Sequence, residues 1–405
     1  MNILYIAYSC MPEKGSEEKI GWSVPLESAK HHSVFVITKI EHKEKIESYI
    51  KEHNIKNIKF FYADINPLYK KVCKGFFYSV RLNVWQKKAL KLAKEISKKE
   101  KIDIIHQITP VEFRSIGRYG EIENTKFVCG PLGGGEYCPE ALKVYTKSSH
   151  VVELTRKAVN VYTKVKYKAA KRFRKCDYLL FCNEETRDYL SPLCRGIPSE
   201  LYSEIGIGKD EIVSENVSLT DNKKLTILLA GRLVYRKGHS FLLDVLSTLP
   251  EDLAFECRIV GDGPDKKQLT DKMKKLGLED KVLFTGKLPF TSMNEEYQKA
   301  DVLVMPSLRE TTGSVLLEAM AQGKPVITIG RYGGKVLLDS NTAYLYDGNT
   351  LNELKESLRA AILNCAMNPE ERKLRGEAMK KLAHKNTWEE KIDHYNSIYK
   401  SLLKD

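Results

Sequence analysis

The chain has no run of 18 apolar residues among its 405 positions, so the sequence predicts no transmembrane helix. Its apolar N-terminal stretch, 2–8, is too short for the core of a signal peptide and is preceded by no basic residue. We expect this stretch to be the first buried strand instead. Together these absences predict a cytoplasmic protein.

Several motifs are also missing. The nine cysteines form no C-x-x-C pair, which favours reduced, mostly buried thiols over disulfides or metal ligands. No G-x-G-x-x-G follows the first apolar stretch, which argues against a dinucleotide dehydrogenase. No Asp-x-Asp lies between apolar strands and no recognised nucleic-acid motif is present, so the sequence predicts neither a metal site nor nucleic-acid binding.

The positive charge of the chain is unevenly distributed. Positions 1–200 hold 36 Lys and Arg against 23 Asp and Glu, a net charge of +13, whereas 201–405 hold 30 of each. Two runs, 86–99 and 156–175, are densest in lysine, and we expect the first to be a solvated helix face. The second mixes Tyr162, Tyr167 and Phe173 with its lysines, which suits an anionic membrane surface at about 1 kcal/mol per basic residue. A plain solvated face and a nucleic-acid partner are the alternatives.

Short apolar segments alternate with helical patterns along the whole chain. With 42% hydrophobic and 29% charged residues and a length beyond one usual core, the chain is expected to form two soluble domains of α/β class. We predict domains at 1–205 and 206–387, joined through the polar segment 208–224, with the terminal helix at 388–405 packing back on the first domain. Predicted strands are 2–8, 33–38, 58–63, 102–106, 125–129, 177–182, 225–230, 255–260, 282–284, 302–305 and 325–329, and predicted helices in the first half are 20–30, 43–52, 78–99, 111–117 and 151–174.

Two glutamates bracket the start of a predicted helix in the second half. Glu310 follows an apolar strand, and Glu318 lies within the helical run 315–321. The backbone N–H groups of Gly313 and Ser314 would open that helix and face an anion. Carboxylates that only accept hydrogen bonds, placed beside an anion site, suit a ligand with hydroxyls and phosphates, such as a nucleotide sugar. The alternative is that both glutamates lie on the surface of an amphipathic helix.

A second turn upstream combines glycine with basic residues. Gly231-Arg232 and Lys237-Gly238 lie between an apolar strand and a predicted helix at 240–246. Arg offers a planar fork for phosphate oxygens and Lys a mobile point charge. A surface salt bridge is the alternative for both side chains.

These segments, with 261–264 and 323–327, occur in the order and spacing of family 4 glycosyltransferases, which the chain resembles most specifically over 225–348. In the first half, Gly15-Ser16-Glu17, Gly21-Trp22, His106 and the glycine-rich segment 130–135 resemble a branch that builds bacterial surface polysaccharides. The resemblance implies the GT-B fold, with two doubly wound, Rossmann-like domains facing each other across a cleft. It also implies retaining, metal-independent transfer from a nucleotide sugar, with the departing phosphate helping to take the acceptor proton.

The resemblance also implies roles for individual residues. Arg232 and Lys237 would bind the diphosphate, Glu310 the donor-sugar hydroxyls, and Glu318 the ribose. Where the family has glycine and an aromatic residue after the first glutamate, this chain has threonines, which leaves the donor sugar open. Candidate catalytic residues are Glu310, His106, Arg232 and Lys237, and candidate donor-binding residues are Gly15, Ser16, Gly231, Arg232, Lys237, Leu288, Glu310, Thr311, Thr312, Gly313, Ser314, Val315 and Glu318.

The first half contributes candidates of its own. His106 follows an apolar strand, and at the strand's carboxyl end it would face the cleft; a packing histidine is the alternative. Backbone at Gly15 could approach phosphates, or be a plain turn. The acceptor side is assigned to Gly133, Gly134, Gly135 and Glu136, with a flexible lid as the alternative for the glycines.

The sequence therefore predicts a glycosyltransferase that moves a sugar from a UDP- or GDP-linked donor to a saccharide acceptor. Its other expected partners are a lipid-linked saccharide and the anionic inner face of the cell membrane, and no cofactor is expected. One alternative is a GT-B epimerase, which needs acid and base groups around the sugar. Another is a catalytically silent membrane-surface protein of the same fold.

Overall fold

The computed structural model describes residues 1–66, 69, 78–214 and 224–404, which form two compact units. The first unit combines Met1–Gly135, Leu154–Gly206 and Trp388–Asp405, and the second combines Glu136–Glu153 and Ile207–Thr387. Both units are discontinuous in sequence, because the segment 136–153 leaves the first half of the chain and joins the second unit. The first domain was predicted as the continuous segment 1–205. The first unit of the structure differs from it, because this unit lacks 136–153 and includes Trp388–Asp405.

The first unit is built on a seven-stranded parallel sheet in the order β3-β2-β1-β4-β5-β6-β7. Its central strand is buried along its length, with Ile3 to Ile6 fully inaccessible. Such strands read as continuous apolar runs because helices cover both faces of a parallel sheet. The strands are β1 (Asn2–Ala7), β2 (Ser33–Lys39), β3 (Ile58–Ala63), β4 (Ile104–Thr109), β5 (Lys126–Leu132), β6 (Tyr178–Phe181) and β7 (Ser199–Leu201).

The helices of the first unit include one from the far end of the chain. The C-terminal helix packs on the rest of the first unit through two polar contacts. The Tyr399 hydroxyl lies 3.4 Å from the Tyr5 hydroxyl, and Asn396 Oδ1 lies 2.7 Å from His32 Nε2. Burial of Trp388, Ile392, Tyr395, Ile398 and Tyr399 explains the apolar spacing of that segment. These helices are α1 (Glu17–Ser28), α2 (Lys43–Glu52), α3 (Tyr78–Lys99), α4 (His150–Ala169), whose first residues belong to the second unit, α5 (Glu184–Leu190) and the C-terminal α13 (Trp388–Leu402).

The second unit repeats the design with a six-stranded parallel sheet in the order β10-β9-β8-β11-β12-β13. The strands are β8 (Leu225–Ala230), β9 (Phe255–Val260), β10 (Val282–Gly286), β11 (Val302–Met305), β12 (Val326–Ile329) and β13 (Tyr344–Tyr346). The helices are α6 (His239–Leu246), α7 (Lys266–Lys275), α8 (Phe290–Lys299), α9 (Ser314–Ala321), α10 (Tyr332–Leu337), α11 (Leu351–Met367) and α12 (Pro369–Lys385). Strand β8 lies between β9 and β11, just as β1 lies between β2 and β4 in the first sheet. Both sheets therefore have the doubly wound arrangement.

Several local predictions differ from the structure, and the short strands β7 and β13 were not predicted. The segment 111–117 contains only a 3-10 turn at Phe113–Ser115. The helix predicted at 151–174 ends at Ala169, because Lys171 adopts a left-handed conformation (φ 46°) and a separate 3-10 turn covers Arg172–Lys175. Strand β4 runs to Thr109, three residues beyond the predicted end. Part of the predicted connection, 215–223, lies outside the described residues, as does Cys73.

Two expectations about the whole chain can be compared with the described residues. All eight cysteines described are unpaired thiols, and all but the half-buried Cys138 are buried. The prediction of reduced, mostly buried cysteines is confirmed for them. Across 1–66, 78–214 and 224–404, no helix is long and apolar enough to cross a bilayer.

Candidate functional site

The glycines of the second unit let three turns approach one another at the carboxyl ends of its strands. A Cβ atom on Gly261, after β9, would lie 1.9 Å from the carbonyl oxygen of Gly231, after β8. A Cβ atom on Gly238 would lie 1.8 Å from the carbonyl oxygen of Pro306, after β11. Neither approach is possible with a larger residue, so the glycines fix the contact between turns. Because β8 lies between β9 and β11, the turns meet where the strand order reverses, the usual ligand position in such sheets.

Glu310 lies in the turn after β11 and is held by two cations from the turn after β8. Lys237 Nζ donates a short hydrogen bond to Glu310 Oε2, and Arg236 Nη1 lies 3.3 Å from Glu310 Oε1. Glu310 as a whole is only 8% exposed. Burial by itself would raise the pKa of Glu310, but Lys237 and Arg236 outweigh burial and hold this pKa below its ordinary value. Glu310 is therefore a charged, fixed hydrogen-bond acceptor at neutral pH.

The basic residue beside Glu310 is not the one that the sequence singled out. Arg232 is exposed and, within the described residues, its side chain makes no hydrogen bond or ion pair, whereas the side chain of Arg236 contacts Glu310. Both arginines lie in the same turn, which continues into a 3-10 turn at Tyr235–Lys237 before Gly238. An exposed guanidinium is available to a phosphate, so the assignment of Arg232 to the diphosphate stays a prediction. Arg236 was missed because the sequence does not show which side of the 3-10 turn faces Glu310.

The start of α9 presents backbone donors beside this cluster. Gly313 precedes the helix with a φ of 96°, a conformation that favours glycine, and no side chain caps the helix. Among the described residues, no acceptor is found for the N–H groups of Ser314 and Val315, the first two of the helix. A helix start with unpaired N–H groups attracts anions. Glu318 lies farther along the same helix and accepts a 2.9 Å hydrogen bond from the hydroxyl of Tyr297.

The two threonines after Glu310 have different environments. Thr312 is fully buried against the first turn of α10, where a Cβ on Gly333 would lie 2.1 Å from the Thr312 hydroxyl oxygen. Thr311 remains partly exposed, and its hydroxyl lies 3.4 Å from Glu136 Oε1. Only Thr311 is therefore positioned to contribute a hydroxyl to a ligand, and Glu136 lies next to it. Leu288, half-buried in the loop after β10, has no contact that assigns it a role.

A second layer of contacts supports the Glu310 turn. Arg309 Nη2 donates a 3.0 Å hydrogen bond to Glu153 Oε1, and the Tyr235 hydroxyl donates to the same oxygen at 2.6 Å. Burial would lower the pKa of Arg309, but the nearby Glu153 raises it above its ordinary value. The segment 136–153 thus contributes acidic groups to the second unit. Sequence reasoning missed Arg309 and Glu153 because more than 150 positions separate them.

His106 lies in the core of the first unit. The prediction that it ends its strand is wrong, because β4 continues to Thr109. Its Nδ1 lies 2.6 Å from the Tyr399 hydroxyl, its Nε2 lies 2.8 Å from the carbonyl oxygen of Gly130, and the side chain is fully buried. Burial lowers the pKa of His106 to about 3. With both ring nitrogens hydrogen-bonded inside the unit, the geometry supports the packing interpretation and not the catalytic one.

The glycine-rich segment of the first unit is held in place. The Gly134 carbonyl oxygen accepts hydrogen bonds from Arg156 Nη2 at 2.7 Å and Asn160 Nδ2 at 3.1 Å. A Cβ on Gly135 would lie 2.7 Å from the Cα of Thr186, so this glycine is required for packing. Gly133 is buried with them. These contacts argue against a flexible lid, and the acceptor-side assignment stays a prediction.

Gly15 and Ser16 form an exposed turn before α1. A Cβ on Gly15 would meet no atom within 4 Å, and Ser16 adopts a φ of 59°. The first residue of α1, Glu17, accepts hydrogen bonds from the backbone N–H of Val111 at 2.6 Å and from the Ser9 hydroxyl at 3.1 Å. Burial raises the pKa of Glu17 to about 7. The turn is open to a ligand, and the contacts of Glu17 anchor one end of it.

Within 1–66, 78–214 and 224–404, no three His, Cys, Asp or Glu side chains group closely enough to hold a metal ion. The positive groups near Glu310 are Lys237, Arg236 and the first N–H groups of α9. Metal independence stays a prediction, which a chelator can test.

Comparison with known proteins finds a family match over most of the second unit. Residues 210–381 match the family model described as "Glycosyl transferases group 1". An uncharacterised glycosyltransferase from Methanocaldococcus jannaschii is 36% identical over 29% of this chain and 30% of its own. The sulfoquinovosyl transferase of Arabidopsis thaliana is 30% identical over 41% of this chain and 31% of its own. An alpha-monoglucosyldiacylglycerol synthase from Streptococcus pneumoniae is 27% identical over 63% of this chain and 58% of its own. The chain thus spans less than two thirds of these curated relatives.

Solved structures match along the whole chain. Sucrose-phosphate synthase from Thermosynechococcus elongatus superimposes with a TM-score of 0.68 at 18% identity, covering 100% of this chain and 99% of its own. WaaG, a glycosyltransferase involved in lipopolysaccharide biosynthesis, gives 0.61 at 16% identity over 98% and 99%. Anabaena HepE in complex with UDP and glucose gives 0.61 at 15% identity over 99% and 100%. At these identities the likeness shows the fold, and the fold is GT-B, as the sequence predicted.

Proposed function

We propose that the chain is a retaining, metal-independent glycosyltransferase that moves a sugar from a nucleoside diphosphate to a saccharide acceptor. The observation that carries this proposal is the charged Glu310, which Lys237 and Arg236 fix beside the open start of α9. A carboxylate held in this way can bind sugar hydroxyls, while cations and N–H groups can bind phosphate oxygens. The group 1 match over 210–381 supports the same assignment.

The chemistry requires positive groups where negative charge grows. As the bond from the anomeric carbon to the diphosphate breaks, negative charge develops on the leaving phosphate and positive charge on the ring. Lys237, Arg232 and the N–H groups of Ser314 and Val315 would stabilise the phosphate, and Glu318 would bind the ribose. The acceptor would attack the same face, with its proton passing to the departing phosphate. Glu310, within reach of Lys237, would hold the donor sugar.

A donor screen tests this proposal. UDP- and GDP-linked sugars should raise the melting temperature of the wild-type chain, and the stabilising donor should be consumed only when an acceptor is present. Consumption without acceptor would favour the epimerase, and absence of any stabilisation would favour the silent protein. NMR of the first-formed product should show the anomeric configuration of the donor; inversion would contradict the retaining reaction.

We propose that the acceptor is lipid-linked and that the first unit associates with an anionic membrane during surface-glycan assembly. Along α4, Val161, Tyr162 and Val165 are 50%, 67% and 63% exposed, although most apolar side chains of such a helix are buried. Lys166 and Lys168 are exposed on the same helix. An exposed apolar stripe flanked by lysines suits a membrane interface. The pneumococcal relative is named for a product that contains diacylglycerol, and this supports a lipid acceptor.

The aromatic contribution to this surface is smaller than the sequence predicted. Tyr167 and Phe173 are each 1% exposed and belong to the core, so only Tyr162 of the three aromatic residues reaches solvent. Lys164 is half-buried, with its Nζ 4.4 Å from the centre of the Tyr189 ring. Val161 and Val165 supply the apolar area instead. We therefore expect apolar insertion by these valines to matter as much as charge.

Vesicle flotation tests the membrane association. Replacing Lys164, Lys166, Lys168 and Lys171 together with glutamine should release the chain from vesicles containing anionic lipid, and salt should weaken wild-type binding because exposed charges are screened over about 8 Å at physiological ionic strength. The matched control replaces four exposed lysines of α3, Lys87, Lys88, Lys91 and Lys94, and should still float. If wild type and the α4 variant float equally, or if neither floats, the membrane association is rejected.

A further inference from the structure

A cavity of about 360 Å³ lies within the second unit, at the start of α6. Its walls come from α6, α7, α11 and the 3-10 segment Glu140–Ser149. Neither Glu310 nor Glu318 lines it, so it is separate from the site proposed for the nucleotide sugar. The volume falls within the usual range of small-molecule sites.

His239 is the most informative residue of this cavity. It is the first residue of α6, it lines the cavity, and it is 2% exposed. Neither Nδ1 nor Nε2 has a hydrogen-bond partner in the structure. A buried imidazole without partners costs free energy unless another molecule supplies them. Burial, with the nearby charge of Lys237, lowers the pKa of His239 to about 3, so the neutral ring offers one donor and one acceptor.

Some of the charges around the cavity neutralise one another. Asp244 accepts a 2.6 Å hydrogen bond from the Tyr145 hydroxyl and lies 2.7 Å from Lys272 Nζ. Lys272 also donates to the hydroxyl of Ser240 at 2.8 Å. This group is complete without a ligand, and Asp244 and Ser240 also line the cavity. Such groups suit the hydroxyls of a polyol.

Two further cations on the cavity wall have no such partner. Lys147, which is exposed, and the half-buried Lys355 line the cavity, and within the described residues their side chains make no hydrogen bond or ion pair. Among the lining residues, the cations Lys147, Lys272 and Lys355 outnumber the carboxylates Asp244 and Asp265, so positive charge prevails. The N–H groups of His239 and Ser240, in the first turn of α6, also lack an acceptor among the described residues. Ammonium groups and a helix start are the donors that phosphates prefer.

We propose that this cavity binds a small phosphorylated sugar, with the phosphate on Lys147, Lys355 and the start of α6 and the hydroxyls on His239, Asp244 and Asp265. A bare anion would leave the ring of His239 and the carboxylates unused, and a neutral sugar would leave the two lysines unused. The ligand would contact Tyr235 and His239, which flank the Arg236-Lys237 pair. This binding site does not depend on the function proposed above.

Calorimetric titration of the full chain with glucose 6-phosphate, glucose and inorganic phosphate tests the proposal. Glucose 6-phosphate should bind with one site per chain, and the other two probes should bind at least about tenfold more weakly. An excess of UDP should leave this binding unchanged. Equal binding of inorganic phosphate, displacement by UDP, or no binding of glucose 6-phosphate would each overturn the assignment; in the last case water would satisfy His239.

Variants locate the site. Lys147→Glu combined with Lys355→Glu should weaken glucose 6-phosphate binding about tenfold or more, because both charge-assisted contacts are lost. The control Lys381→Glu, an exposed lysine of α12 that does not line the cavity, should bind like wild type. His239→Phe removes both ring nitrogens while keeping a ring of similar size, and it should also weaken binding. Unchanged affinity in the double lysine variant would place the ligand elsewhere and reject the proposal.

Discussion

Buried charges are treated differently in the two units. In the second unit, Glu310 is surrounded by Lys237 and Arg236, and its pKa lies below the ordinary value. In the first unit, the two hydrogen-bond donors to Glu17 described above, the Val111 N–H and the Ser9 hydroxyl, are both neutral. Burial raises the pKa of Glu17 to about 7. Lys391 lies on α13 and is 1% exposed. Burial lowers the pKa of Lys391 to about 7, although the nearby Glu204 acts to raise this pKa.

The difference shows what each region maintains. Paired opposite charges keep Glu310 ionised and fixed, which suits a group that must accept hydrogen bonds from a ligand at all ordinary pH values. Glu17 and Lys391 lie instead where the charged and neutral forms are nearly balanced at neutral pH. The first unit therefore carries stability that changes with pH, whereas the Glu310 cluster resists such change.

Breaking the Glu310 cluster should have the largest effect. Glu310→Ala and Lys237→Ala should each reduce sugar transfer on the order of 10²–10³-fold, because each removes a preorganised charged group. Both variants should remain folded, since the turn lies at strand ends and not in the core. Initial rates with the donor found by the screen, together with circular dichroism, measure this.

The control for this prediction is Glu256→Ala, which breaks an ion pair of 2.9 Å with Lys224 on the same unit. That variant should keep wild-type turnover. A folded Glu310→Ala or Lys237→Ala variant with near wild-type rate would reject the site.

Lys391→Met should change the pH dependence of stability. Because the pKa of Lys391 is about 7 in the fold and 10.5 in the unfolded chain, the unfolded state binds more protons between these values, and stability should rise with pH there. The slope of the unfolding free energy approaches about 1.4 kcal/mol per pH unit for one proton. Denaturant unfolding of the first unit from pH 7 to 10 should show this slope in wild type and lose it in Lys391→Met.

Lys400→Met serves as the control, because Lys400 is exposed on the same helix. It should keep the wild-type slope. Parallel pH profiles for wild type and Lys391→Met would show that Lys391 does not titrate as the buried environment implies.

Glu17→Gln should have a smaller effect of opposite sign. The pKa of Glu17 is raised from 4.5 to about 7, so its contribution to stability is present below pH 4.5 and is lost as the pH rises towards 7. Glu17 keeps part of its surface exposed, and solvent screening reduces the effect. Thermal unfolding from pH 4.5 to 7.5 should show wild type losing stability relative to Glu17→Gln. A constant difference would contradict this.

A chelator should have the smallest effect, namely none. Lys237, Arg236, Arg232 and the start of α9 are proposed to supply the positive charge that a metal supplies elsewhere. Transfer should therefore continue in excess EDTA. Loss of activity that magnesium or manganese restores would reject metal independence.

The sequence by itself located eleven of the thirteen strands that the described residues form, because continuous apolar runs are the signature of strands buried on both faces; it missed the short β7 and β13 and did not give the strand order within either sheet. It also located the turns after β8 and β11, since glycines follow both apolar strands; in the fold, a Cβ atom on Gly238 would lie 1.8 Å from the carbonyl oxygen of Pro306. The helix bounds were close where apolar spacing was regular, as in α2 and α3, and failed at Lys171, where a left-handed residue ends α4.

Tertiary structure alone decided which charges meet and which polar groups are buried. It selected Arg236 over Arg232 as the partner of Glu310, brought Glu153 to Arg309 from far along the chain, and placed His106 and Tyr399 in contact in the core. It also assigned the segment 136–153 to the second unit, where it forms a wall of the His239 cavity. Local patterns report which face of an element is apolar, but ion pairs and cavities depend on distances between elements remote in sequence, and only the folded chain fixes those distances.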